Sequence, residues 1–112
     1  MKLLIIEDDK DLNEGLQFAF INDGYSVSSA GTYKEGMRLY REEKFDGILL
    51  DCNLPDGTGF DFCKEIRTSS SIPIVMLTAR DTEIDELKGL EIGVDDYITK
   101  PFSIAILRMR VK

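Results

Sequence analysis

"MKLLIIEDDKDL" (residues 1–12) runs four apolar residues, Leu3 to Ile6, directly into three acids, Glu7, Asp8 and Asp9. A short, continuously apolar run is what a strand buried on both faces requires. The acids pose an electrostatic problem, because two carboxylates about 4 Å apart repel by roughly 4 kcal/mol at an effective dielectric of ~20. Either the side chains splay into water, or something positive stands among them.

The same texture recurs along the chain. "GILL" and "IVML" are continuously apolar like "LLII", and the expected strands are 3–6, 25–29, 45–50, 72–77 and 95–99. Helical periodicity fills the gaps between them. Residues 11–22 carry Leu12, Leu16, Ala19 and Phe20 on one face and stop at Gly24. Thr32 and Glu35 form a capping box that opens a second helix with Tyr33, Met37 and Tyr40 as its stripe. Residues 58–67 carry Phe62, Cys63 and Ile66; residues 82–92 end at Gly93; Ser103 caps a last helix that runs to the chain end. A strand–helix unit repeated five times with short links implies a parallel sheet covered by helices on both faces. With 112 residues and no linker or low-complexity segment, a single domain is expected.

Composition removes several functions. No histidine is present, which excludes a Ser-His-Asp triad and histidine-ligated zinc. Cys52 and Cys63 are too few for a disulfide framework and lack metal-ligand spacing; Cys63 reads as a small core residue. A net charge of −7 would repel nucleic acid and anionic membranes. No apolar run approaches the ~20 residues that span a bilayer and no signal-peptide pattern is present, so a cytoplasmic protein is expected.

In a sheet of this kind ligands sit outside the carboxyl ends of the strands. Strand 1 delivers Glu7, Asp8 and Asp9 there, strand 3 ("ILLDCNLPDGTG") Asp51, strand 4 ("VMLTAR") Thr78 and Arg80, and strand 5 ("YITKPF") Lys100. Each has an ordinary reading. Acids after strand 1 can cap helix 1, and that reading suits Asp9 better than Glu7 or Asp8. Asp51 can be a turn residue, Thr78 a cap, Lys100 a solvated loop lysine. Those readings do not predict that all of them meet at one edge of one sheet. Clustered carboxylates make a hard-oxygen site suited to Mg²⁺. A divalent ion there would cancel the repulsion and let a carboxylate act as nucleophile toward a phosphoryl group. A lysine and a hydroxyl opposite could hold the phosphoryl oxygens.

These residues resemble the receiver domain of two-component response regulators. The likeness rests on "LLIIEDD", "DGILLDCNLPDGTGFDFCKEIR", "IPIVMLTAR" and "GVDDYITKPFS" and covers essentially the whole chain. "DDYITKPF" is similar to the OmpR/PhoB class. The resemblance implies a flavodoxin-like (CheY-like), doubly wound five-stranded sheet of strand order 2-1-3-4-5. It makes Asp51 the phosphoacceptor for a sensor histidine kinase, with Mg²⁺ (or Mn²⁺) as cofactor. Asp8, Asp51 and the Asn53 backbone carbonyl become metal ligands, and Glu7 acts through water. Asp9 has no family role. Thr78 is the switch hydroxyl, Lys100 the phosphoryl-binding lysine and Tyr97 the aromatic that reports the switch. Signalling is implied to run through the face formed by the fourth helix, fifth strand and fifth helix, which dimerises on phosphorylation. The matching pairs are Asp96 with Arg110 and Glu91 with Lys112, whereas Glu86 would meet Ile106 in place of an acid-base partner. The resemblance also implies a last helix cut short at Lys112 and a winged-helix DNA-binding domain in the full-length protein. The expected function is thus regulation of transcription, with DNA contacted only through that further domain and no membrane contact. The chain is expected to be no enzyme beyond its own phosphorylation and dephosphorylation.

Rival classes need other residues. A haloacid-dehalogenase-type phosphohydrolase forms an aspartyl-phosphate but needs a second Asp two residues on, where Asn53 stands. A flavodoxin-like electron carrier needs a Ser/Thr/Gly-rich phosphate loop where this chain is acidic. A receiver that serves only for docking would not need Asp8, Asp51, Thr78 and Lys100 together.

Overall fold

The computed structural model describes residues 1–78, 93–99 and 103–111, with only the backbone of residues 78, 99, 105, 106 and 110. Strands β1 (Lys2–Ile6), β2 (Ser26–Ala30), β3 (Gly47–Asp51), β6 (Ile74–Thr78) and β7 (Asp96–Thr99) form one parallel sheet. Its order is β2-β1-β3-β6-β7, the doubly wound arrangement expected. Helices α1 (Lys10–Asn22), α2 (Tyr33–Glu42) and α3 (Gly59–Arg67) and a C-terminal helix (Ile104–Val111) cover it. The predicted helix over 82–92 lies outside the described residues.

Alternation along each strand divides the core in two. Leu4, Ile6, Ile48, Leu50, Ile74 and Met76 face one side, where Met37 of α2 and Phe60, Phe62, Cys63 and Ile66 of α3 pack on them. Leu3, Ile5, Leu49, Val75, Leu77 and Ile98 face the other, against Leu16 and Phe20 of α1 and Leu107 of the C-terminal helix. Both faces are covered, so the strands read as unbroken apolar runs. Burial pushes the Cys63 thiol pKa up, which keeps it an unreactive core group.

Strand bounds differ from the sequence reading by one or two residues. Tyr25, Phe45, Ile72 and Asp95 lie just outside the strands, and Ala30, Asp51 and Thr78 extend them at the carboxyl end. Pro73 explains one shift: it has no N–H for the ladder, so pairing begins after it at Ile74. The segment after β3 is more structured than expected. Asn53–Leu54 (β4) and Gly57–Thr58 (β5) pair antiparallel as a small hairpin, and its turn residue Asp56 caps α2. The Asp56 carboxylate accepts from the Tyr33 N–H at 2.7 Å and the Lys34 N–H at 3.1 Å. Those two bonds, Lys34's foremost, hold its pKa below the usual range.

Two arginines tie the helices down. Arg67, at the end of α3, donates to the Gly93 carbonyl from Nε (2.9 Å) and Nη2 (2.7 Å), and to the Ile72 carbonyl from Nη1 at 2.7 Å. It also meets the Asp95 carboxylate at 3.1 Å. Gly93 has a φ of +86°, in the left-handed region that favours glycine. Arg108 of the C-terminal helix forks onto both carboxylate oxygens of Asp23, the cap at the end of α1.

Candidate functional site

Register brings the acids together. Ile6 pairs with Leu50, so Glu7 and Asp51, one step further on, stand side by side at the carboxyl edge of the sheet. On the other side of β3, Asp51 pairs with Leu77. Thr78 in turn pairs with Thr99, the residue before Lys100. The backbone therefore carries Glu7, Asp8, Asp51 and Thr78 to one edge. The Thr78 side chain and Lys100 lie outside the described residues, as do Arg80, Glu86, Glu91 and Lys112. Ile106 and Arg110 fall in the C-terminal helix, with side chains that are likewise not described.

The three acids converge. One carboxylate oxygen from each of Glu7, Asp8 and Asp51 lies within 4.8 Å of those from the other two. Glu7 is 1% exposed and Asp51 3%, whereas Asp8 faces solvent. Burying two carboxylates this close together is costly unless charge or hydrogen bonds compensate. Local donors supply part of this. The Asp9 N–H reaches Glu7 Oε2 at 3.0 Å, and the Asn53 N–H reaches Asp51 Oδ1 at 3.3 Å. Asp9 takes the ordinary capping role: its Oδ1 accepts from the Leu12 N–H at 3.2 Å, at the N-cap of α1.

The donor set suits a small hard cation. Three carboxylates supply only oxygen, and the chain has no imidazole. The neighbouring Cys52 is buried in the core on the α2 and α3 side. Oxygen-only sites of this kind select Mg²⁺ or Mn²⁺ over thiophilic metals.

Two further residues shape the site. Gly59, the first residue of α3, sits directly beneath the end of β3: a Cβ there would lie 2.5 Å from the Asp51 carbonyl oxygen and 2.9 Å from Met76 Sδ. Its N–H donates to the Cys52 carbonyl at 2.8 Å. Asn13 of α1 is 7% exposed, and its Nδ2 donates to the Glu7 carbonyl at 2.9 Å and the Ala30 carbonyl at 3.2 Å. Neither was identified as part of the site from sequence. For Asn13 a signal existed: it lies on the stripe of Leu16 and Phe20, where a polar residue needs a partner.

Tyr97, on β7, is half-buried, with its ring against the core on the α2 and α3 side. The Asp96 carboxylate accepts from the Tyr97 N–H at 2.7 Å.

Comparison with known proteins matches residues 3–112 to the response regulator receiver domain. Among solved structures, a two-component response regulator from Clostridium difficile is 36% identical, with a TM-score of 0.96 over 100% of this chain and 93% of that one. The non-phosphorylated HemR receiver domain from Leptospira biflexa is also 36% identical, with a TM-score of 0.92 over 98% of this chain and 90% of that one. The BeF3-activated N-terminal receiver domain of Klebsiella pneumoniae RstA is 29% identical, with a TM-score of 0.93 over 99% of this chain and 95% of that one.

Proposed function

The chain belongs to the family of response regulator receiver domains, and from that membership we propose that Asp51 accepts a phosphoryl group from the phosphohistidine of a sensor histidine kinase, in a reaction that needs Mg²⁺ or Mn²⁺. The supporting observation is a buried Asp51 at a strand end with Glu7 and Asp8 oxygens within 4.8 Å. Asp8 and Asp51 would hold the ion through carboxylate oxygens, Asn53 through its main-chain carbonyl and Glu7 through water. When bound there, such an ion would supply charge neutralisation of the acids and of the phosphoryl oxygens.

An Asp51 carboxylate oxygen then attacks phosphorus in line with the donor nitrogen. The P–N bond breaks, its electron pair stays on the imidazole nitrogen, which takes up a proton, and an acyl phosphate forms on Asp51. Thr78 and Lys100 bind the phosphoryl oxygens. Hydrolysis of the acyl phosphate resets the domain, and no other substrate is turned over.

Incubation with acetyl phosphate and Mg²⁺ tests this. Intact mass should rise by one phosphoryl group, and chelation of the metal should prevent it. Equal incorporation in the presence of chelator would contradict a metal-assisted reaction.

Downstream, the domain works as in the OmpR/PhoB class. The segment after Thr78, strand β7 and the C-terminal helix form a two-fold dimer face on phosphorylation, and Tyr97 reports the state of Thr78. A winged-helix domain of the full-length protein then controls transcription in the cytoplasm. The cross-dimer pairs are Asp96 with Arg110 and Glu91 with Lys112. Exposed pairs contribute about 0–1 kcal/mol each, doubled by the two-fold axis. Sedimentation should therefore show a monomer without beryllofluoride and a weak, salt-sensitive dimer with it, lost in Arg110→Ala. Tyr97→Ala should keep phosphorylation and lose the dimer. A tight dimer indifferent to beryllofluoride and to Arg110→Ala would mean that another surface is used.

A further inference from the structure

We propose that Asn13 is a positioning residue for the cation site, holding the backbone of Glu7 through Asp9 so that the acids stay convergent before the metal arrives. The inference rests on the reading of Glu7, Asp8 and Asp51 as that site.

An asparagine in the second turn of a helix has modest helix propensity, and burying its amide is costly unless each polar atom is paired. Here both ends of the amide are used. The two Nδ2 hydrogens go to carbonyls of separate strand ends, Glu7 at 2.9 Å and Ala30 at 3.2 Å. Because both of these partners are acceptors, the amide has one possible orientation, with Oδ1 turned away from them. Oδ1 in turn accepts from Gln17 Nε2 at 2.7 Å, one helical turn on. The Asn13 N–H, meanwhile, donates to the Asp9 carbonyl at 2.9 Å.

The result is a grip on the acidic stretch from several sides. The Glu7 N–H donates to the Ala30 carbonyl at 3.0 Å, the Glu7 carbonyl accepts from Asn13, and Glu7 Oε2 accepts from the Asp9 N–H. Glu7 is thus held at its amide, its carbonyl and its carboxylate. Asp8 stands between two residues whose carbonyls both bond to Asn13. Repulsion among the three carboxylates favours swinging this stretch outward. Doing so would break the bonds that the buried Asn13 amide and the Ala30 carbonyl make to Glu7, a loss greater than that of an exposed contact. Asn13, Gln17, Glu7 and Asp8 together line an open depression of about 290 Å³, so the network borders the site. Groups that orient metal ligands from behind typically change metal affinity 10–100-fold when removed.

A purely structural Asn13 would lower the melting temperature and leave the metal affinity of the folded protein unchanged. Calorimetric titration with MgCl₂, beside thermal melts, separates the two roles. Asn13→Ala should raise the Mg²⁺ Kd about 10-fold or more, and Gln17→Ala should raise it in the same direction by less. Ile66→Val, a core change on the opposite face of the sheet, should lower the melting temperature and leave the Kd at the wild-type value. Asn13→Ala that melts early yet binds Mg²⁺ like wild type would overturn the proposal while leaving the site reading intact. Should Asn13→Ala fail to fold, Gln17→Ala decides: a raised Kd supports the role, and a wild-type Kd overturns it. Wild-type protein that binds no Mg²⁺ would remove both the site reading and this inference.

Discussion

Gly59→Ala is expected to lower the stability of the domain by about 1–3 kcal/mol, the usual cost of forcing an extra carbon into a packed interior. The clash is with main chain as well as side chain. The new Cβ would lie 2.5 Å from the Asp51 carbonyl oxygen and 3.0 Å from the Cys52 Cα, both fixed by the central strand, and 2.9 Å from Met76 Sδ. The sulfur can swing away, but the backbone cannot move without shifting Asp51 or lifting the start of α3. Against a typical total of roughly 5–15 kcal/mol, the loss is large. It corresponds to a melting temperature lower by about 4–15 °C. Phosphorylation should slow as well, because the displaced backbone carries the acceptor. A Gly59→Ala protein melting with the wild type would show that α3 does not begin hard against β3.

Asp8→Asn should separate charge repulsion from metal binding. At 4.8 Å, one pair of carboxylates repels by about 1 kcal/mol in water and about 3.5 kcal/mol at an effective dielectric of 20. Asp8 is exposed, so its share lies toward the lower figure. The metal-free variant should therefore melt above metal-free wild type by a few degrees. Mg²⁺ should invert the order. At 100 times its Kd, a ligand of the folded state adds about 2.7 kcal/mol, roughly 10 °C for a domain of this size. That gain should nearly vanish in Asp8→Asn. A variant with the full Mg²⁺-dependent shift would return Asp8 to a solvated acid beside a helix start.

The sheet was legible because its strands are buried on both faces, which makes them unbroken apolar runs with the acids immediately after. The gathering of acids was legible for the same reason: strand ends of a parallel sheet share an edge, so Glu7, Asp8, Asp51 and Thr78 could be placed along it by counting along the strands. Asp9 was correctly expected as a cap, since an acid three residues before the start of a helical stripe at Leu12 can accept that residue's N–H. What escaped were contacts between elements distant in sequence. The β4–β5 hairpin hid in "NLPDGTG", which reads as a turn because each strand is only two residues long. Asp56 capping α2 from another loop leaves no local pattern, nor does the need for glycine at 59 beneath Asp51. Asn13 looked like an ordinary polar residue of a helix until both carbonyls it serves were in place. Thr78 and Lys100 follow from counting to the ends of the fourth and fifth predicted strands, and the acid-base pairs of the dimer face from the resemblance.

The central claim is that Asp51 is the group that takes the phosphoryl. Wild type and Asp51→Asn, incubated side by side with acetyl phosphate and Mg²⁺ and measured by intact mass before and after mild base, test it most directly. The account predicts one base-labile phosphoryl group on wild type and none on Asp51→Asn. Equal labelling of a folded Asp51→Asn protein would contradict it.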